Sequence, residues 1–337
     1  MAIGSGLGSS LGFSAESAYG TYVAPTKFVR HKSASLQKTA TRVQGEGIQS
    51  GVYGEYLNQF VEAVTGGTGT IGFDIQSKNM GVLMQALMGT TVTPVQQGAT
   101  TAYLQTHTLA DPFGKSLTMQ VGLPQRGGTV TPATLTGCKV AKLDLSCGID
   151  TVLSATATID AQTYDNSNSL ATPSYSASDP VNVFHGGQLT VKLGSTVAGA
   201  TAVSGVKNVA LSIDRAMDTS AYYAGATAAG TKSEPVLNAV SKVTGSITVD
   251  MINLTDFHNR AVNNTSTALV LTWKGPLIAS TYYETFTVSI PAVVFPAPTS
   301  FDIADRGVLS NQFAFEARYD GTNALATIAI TSAETTL

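Results

Sequence analysis

Few groups in this 337-residue chain have the types and spacing to do chemistry, and each falls short of a site. Asp74 and Asp250 are carboxylates at matching positions of two similar stretches. Paired carboxylates can divide acid and base roles, but these two are far apart in sequence and have no evident third partner. A carboxylate beside a helix N-terminus, favoured by the helix dipole, accounts for both. Asp160 and Glu316 are a second pair of acids at equivalent places. The four histidines, His31, His107, His185 and His258, include no two at metal-ligand spacing, and the cysteines do not have zinc spacing. Each histidine reads as a surface or partly satisfied side chain. Cys138 and Cys147 stand nine positions apart in one strand-like run. At ~3.3 Å per residue that is about 30 Å, on opposite faces, whereas a disulfide needs Cα atoms within about 7 Å. No bridge is expected, and free thiols fit assembly in a cytosol. The run Gly4-Ser5-Gly6-Leu7-Gly8 lacks the preceding strand and following Lys-Ser/Thr of a phosphate loop. There is no Gly-x-Ser-x-Gly elbow. No catalytic, cofactor-binding or metal-binding residue is assigned, and the chain does not read as an enzyme.

The elements around Asp74 and Asp250 say more. Ile71, Phe73 and Ile75 alternate with Thr70, Asp74 and Gln76, a half-buried strand. Ser77 then stands where an N-cap belongs, and Met80, Leu83, Met84 and Leu87 form one helical face ending at Gly89. Residues 245–253 repeat the strand at an offset of 176 (245 − 69), putting Asp250 at Asp74 and Asn253 at the cap. Leu254, Phe257 and Ala261 continue as the second helix-like face. Leu211 corresponds to Leu36 at an offset of 175, and residues 308–317 match 152–161 at 156. The drop in offset places about twenty extra residues in the first half, within 90–136. A unit occurring twice implies a chain built by duplication.

Each half therefore reads as strand, long loop, strand, helix, then several strands: a mainly β chain with a helix on a sheet. The expected divisions are an N-terminal arm at 1–30, ordered by neighbours or not at all, a first domain at 31–164, a linker at 165–187 and a second domain at 188–337. Strands are expected at 31–43, 115–123, 137–147, 152–161, 206–214, 267–273, 282–294, 308–319 and 324–331, with 137–147 and 152–161 forming a hairpin. The Thr-, Gln- and Pro-rich stretch 90–113 shows no period. Loops 44–64 and 217–238 occupy the same place in the two halves, and loops of that length usually have a task; here it is reaching a neighbouring copy. Trp273 reads as a packing anchor, and Tyr222-Tyr223 and Tyr282-Tyr283 as interface tyrosines.

Composition points the same way. Charged residues are only 12% of the chain and net charge is −3, which suits a surface covered by copies of itself, a sparse Ser/Thr-coated surface being the alternative. No basic stripe is present to grip phosphates. Met1 to Gly12 carry no Lys or Arg and do not read as a secretory signal. No run approaches the ~20 apolar residues of a spanning helix, and aromatics at 7% do not suggest the girdles of a porin.

Gly8-Ser9-Ser10-Leu11-Gly12-Phe13 with Tyr19-Gly20-Thr21-Tyr22-Val23-Ala24-Pro25-Thr26, the unit at 69–89, and Thr136-Gly137-Cys138-Lys139-Val140 leading into a hairpin carry a family resemblance. With the long loop between the first two strands, they make the chain similar to the tail tube (major tail) proteins of long-tailed, siphovirus-like bacteriophages. The resemblance implies two tandem tail-tube-like β-sandwich or half-barrel domains, each with a flanking α-helix, that form a ring barrel on assembly. Edge strands left open would be closed by neighbours. It implies rings, here of three duplicated chains rather than six, stacked into the conduit for DNA ejection. Gly47, Tyr53, Tyr56, Tyr222 and Tyr223 become candidate contacts between rings, and Asp160, Thr156, Thr158, Thr285 and Thr287 candidate lumen residues. Implied partners are further copies, the tape-measure, tail terminator and tail-tip proteins, and double-stranded DNA passing without sequence-specific binding. The implied location is the virion tail, assembled in host cytoplasm. A β-sandwich adhesin or fibre module that binds a host surface glycan is the alternative.

Overall fold

The computed structural model describes residues 4–175, 181–224, 230–298, 301, 303 and 306–337; parts of the arm, the linker and loop 217–238 lie outside them. The chain is mainly antiparallel β. The first half contributes β1 (Ser10–Ala15), β2 (Lys27–Val29), β3 (His31–Gln44), β4 (Phe60–Asp74), α1 (Gly81–Met88), β5 (Val95–Gln96), β6 (Tyr103–Thr108), β7 (Leu117–Pro124), β8 (Val130–Gly148), β9 (Ser154–Ala161) and β10 (Thr163–Asp165). The second contributes β11 (Leu189–Gly194), β12 (Thr201–Ala202), β13 (Val206–Asp214), β14 (Lys242–Asp250), α2 (His258–Val262), β15 (Thr267–Ala279), β16 (Tyr282–Val294), β17 (Ser310–Ala317) and β18 (Thr327–Ser332).

One large layer runs β3-β4-β9-β8-β13-β14-β17. Against it lie β2-β1-β7-β8-β10 on one side of the chain and β11-β15-β16-β18-β6 on the other. β8 belongs to both layers: its start pairs with β7 and β10, its end with β9 and β13. Trp273 Nε1 of β15 donates to Cys147 Sγ of β8 at 3.4 Å, fixing the two layers face to face across the core. Among the described residues the large layer does not close on itself, because β3 pairs only with β4.

The repeat seen in sequence is also a repeat of register. Gly69 stands opposite Leu36 on one side and Ile159 on the other. Gly245 stands opposite Leu211 and Phe315, the residues the offsets designate. The facing strands repeat as well: β1–β7–β8–β10 corresponds to β11–β15–β16–β18.

Several expectations are changed. The residues from Ser10 are no loose arm: Leu11 and Phe13 are fully buried in β1. Ser77 does not cap α1. Its backbone and hydroxyl bind Asn182 instead, and the helix begins after Met80. Gly89 does end it, in the left-handed region at φ 92°. Asn253 forms an Asx turn, accepting from the Thr255 and Asp256 amides, and α2 starts after Phe257. Both helices thus start seven or eight residues beyond Asp74 and Asp250, so the helix dipole is not what favours those carboxylates. The first long loop is 45–59 rather than 44–64, because β3 and β4 continue as an exposed hairpin that leaves no burial period to read. Cys138 and Cys147 do not sit on opposite faces. A bulge at Ala141 resets the alternation, so both thiols reach the apolar core, unbridged.

Candidate functional site

The outer face of the large layer is a continuous polar surface built by alternation. Its cross-strand rows pass through both halves. One reads Asp74, Ser154, Ser146, Ala210, Ser246, Ala314 and the next Gly72, Thr156, Asp144, Ser212, Thr244, Glu316. Most side chains in these two rows are short, and three ion pairs join charges on the face. Lys142 lies 2.9 Å from Asp144, Arg318 2.8 Å from Glu316, and Lys207 2.8 Å from Asp250. The Lys207 hydrogen bond holds the Asp250 carboxyl below its usual range. Lys32 pairs with Asp74 in the same way, so these two aspartates are half of twin ion pairs.

Thr156 is exposed and Thr158 half-buried on this face. Thr285 and Thr287 are half-buried on the side of β16 away from Phe286 and Val288, which point into the core. They therefore belong to the opposite outer surface of the sandwich, and a single channel wall can include at most one of the two pairs. Asp160 is only 6% exposed and pairs with Lys232 at 2.5 Å. Desolvation pushes its carboxyl up, and Lys232 opposes that.

The two long loops behave differently. In loop 45–59, Gly47 and Tyr53 are exposed and Tyr56 is half-buried, its hydroxyl donating to Gln49 Oε1 at 2.5 Å. The described parts of loop 217–238, residues 217–224 and 230–238, lie back on the first half. Lys232 pairs with Asp160, and its carbonyl accepts from Gln162 Nε2 at 3.0 Å. Glu234 pairs with the fully buried Lys139, whose ammonium also donates to the Pro112 and Lys115 carbonyls. Burial lowers the Lys139 pKa, with Glu234 opposing. Thr65 donates to the Gly230 carbonyl at 2.8 Å. Tyr222 lies under Lys232, whose Nζ is 5.5 Å from the ring centre, while Tyr223 is exposed.

Sequence reading missed the groups that fasten these parts. Glu16 accepts from the Gly20 and Gly137 amides and from the Ser116 and Thr118 hydroxyls at 2.7–2.9 Å. Its only sequence signal is a lone acid in a small-residue stretch. Lys139 had a clearer one, a charge inside an otherwise apolar run. Among the described residues no group of three or more His, Cys, Asp or Glu side chains could hold a metal ion, and no helix is long and apolar enough to cross a membrane. What the arrangement offers is surface: a polar face, an open strand edge and two loops that reach outward or across.

A comparison with curated proteins found no match. The family model described as phage tail tube protein matches residues 6–317, nearly the whole chain, and the chain belongs to the phage tail tube protein family, a structural component of the virion tail.

Proposed function

We propose that copies of this chain close into rings that stack as the tail tube, through which the genome is ejected into the host. The observation that carries this is the joint inside the chain. β13, the repeat counterpart of β3, has its outer edge covered by β8, whereas the same edge of β3 is open among the described residues. A second copy supplies the missing strand, and the unpaired edge amides make that association favourable. Because each chain carries the pattern twice, in two domains joined by the linker 165–187, three chains make a ring with pseudo-sixfold character.

In this tube the polar face of the large layer, with Thr156 and Thr158, lines the channel. Its many short hydroxyl side chains and its paired charges at Lys142–Asp144, Lys207–Asp250 and Arg318–Glu316 give DNA little to bind. Thr285 and Thr287 then look away from the channel. Loop 45–59, with Gly47, Tyr53 and Tyr56, and the exposed Tyr223 carry contacts between copies, those between stacked rings included, while Tyr222 is held within its own chain. The tape-measure protein fills the channel during assembly in the host cytoplasm, and terminator and tip proteins cap the ends.

Electron microscopy of purified protein tests the reading. Hollow filaments of even diameter with three chains per ring are expected. Isolated monomers at every concentration overturn the tube, and six chains per ring overturn the trimer. Asp144→Lys, on the channel-facing side, should slow ejection without blocking assembly.

A further inference from the structure

An open cleft of about 420 Å³ lies at the end of the second half, lined by Leu237, Val240, Ser241, Lys242, Glu316, Arg318 and their neighbours. Its position within the repeat identifies its occupant. In the first half, loop 217–238 is received by Thr65, Gly66, Asp160 and Gln162. The Thr65 amide takes the Gly230 carbonyl, and Gly66 leaves room for the Tyr222 hydroxyl, which would sit 2.7 Å from an added Cβ. The offsets of 176 and 156 carry these four positions to Ser241, Lys242, Glu316 and Arg318, and all four line the cleft. Among the described residues the second half thus has the receiving positions but no loop seated on them.

The cleft also holds an unmet need. Arg215 at its wall is 1% exposed, and its Nε and Nη1 have no hydrogen-bond partner among the described residues. Only its Nη2 is engaged, with the Ala110 carbonyl. A buried guanidinium left this way is costly. Arg215, Lys242 and Arg318 against Glu316 make the cleft cationic. Val240 on its wall is 80% exposed. The repeat counterpart of loop 217–238 is loop 45–59. Its only charges are Glu46 and Glu55, and Ile48, Tyr53 and Leu57 are nearly fully exposed. Polarity and charge sign both match.

We infer that loop 45–59 of a second copy of this chain seats in the cleft between Val240 and Arg318, repeating between chains the docking of loop 217–238 within one. The inference rests on the ring reading and adds the seat: the same step that relates the two halves relates the second half to the next copy's first. The loop carboxylates approach Arg215 and Lys242, and its apolar residues cover Leu237 and Val240.

Zero-length carbodiimide coupling of assembled wild-type protein, followed by mass spectrometry, tests it. An interchain amide between Glu46 or Glu55 and Lys242 is expected, lost in Lys242→Ala. Amide exchange at 240–242 and 316–319 should slow at least tenfold on assembly. Val240→Asp should lower the assembled fraction at least tenfold while the monomer keeps its melting temperature. Wild-type filaments without the link and without protection in the cleft overturn the inference and leave the tube reading standing. So does a Val240→Asp protein that assembles like wild type. If wild type forms no filaments at all, the tube reading falls and takes the inference with it.

Discussion

Lys207 Nζ lies 2.8 Å from Asp250 Oδ1, and Lys32 pairs with Asp74 at the corresponding place in the first half. The two pairs obey the same offsets as the strands that bear them, 175 for the lysines and 176 for the aspartates. Two carboxylates that look like a divided acid and base are therefore twin surface contacts. Lys207 is about half exposed, and exposed pairs contribute little. Lys207→Met and Lys32→Met are each expected to leave the denaturant midpoint unchanged within error.

The pair Asp160–Lys232 is the contrasting case, since its side chains are 8% and 4% exposed. Removing one partner strands a buried charge, at a cost of about 3–5 kcal/mol. Lys232→Met should destabilise by about that much. The double change Asp160→Leu with Lys232→Met should recover most of it, as chemical denaturation of the two proteins would reveal. Equal losses in the single and double variants would contradict this.

Gly245 and Gly69 hold the same register position but different space. A Cβ at Gly245 would collide with the Ala210 carbonyl and the Phe315 ring. At Gly69 it would meet the flexible end of Leu36 at 2.7 Å and the Ser35 carbonyl at 3.0 Å. Overpacking typically costs 1–3 kcal/mol. Gly245→Ala is expected near the top of that range, about 3 kcal/mol, and Gly69→Ala near the bottom, as read from unfolding midpoints.

Burial lowers the His107 pKa to about 4, and its ring nitrogens lack hydrogen-bond partners among the described residues. A base with a depressed folded pKa contributes stability above its unfolded value, near 6.5. That stability is lost as pH falls from about 6.5 to about 4, because the unfolded chain takes up the proton first. The loss amounts to roughly 3 kcal/mol at 1.36 kcal/mol per pH unit. Melting curves across this range should show the fall, and His107→Leu should flatten it.

Glu16 gathers four donors from three segments: the turn at Gly20, strand β7 and its neighbourhood, and Gly137. Glu16→Ala leaves those donors buried without a partner, and about 3 kcal/mol of stability should be lost. Glu16→Gln keeps two acceptor lone pairs and should lose less. If the two variants unfold together, the carboxylate is not what joins the segments.

Legibility in the sequence followed burial. β13, β16 and the 71–75 core of β4 were readable because one face is apolar and the other polar throughout. β6 was not, because the residues it turns inward are Gln105 and His107, both fully buried, and an inward polar residue erases the period. That strand lies in the expected extra stretch of the first half and pairs with β18 of the second, a partnership no local pattern announces. The ends of β3 and β4 were missed for the opposite reason: with both faces exposed, only the backbone ladder defines them.

The sequence by itself determined the β class, the twofold repeat and the matched positions within it, because alternation and offset are properties of residue order. Tertiary structure decided which sides face together. The bulge at Ala141 brought both cysteines to the core, and the layer order separated Thr156 and Thr158 from Thr285 and Thr287. It also decided that one long loop is docked and the other is not. Those outcomes depend on long-range pairing and on where charges such as Lys139 and Arg215 are desolvated, which no local period encodes.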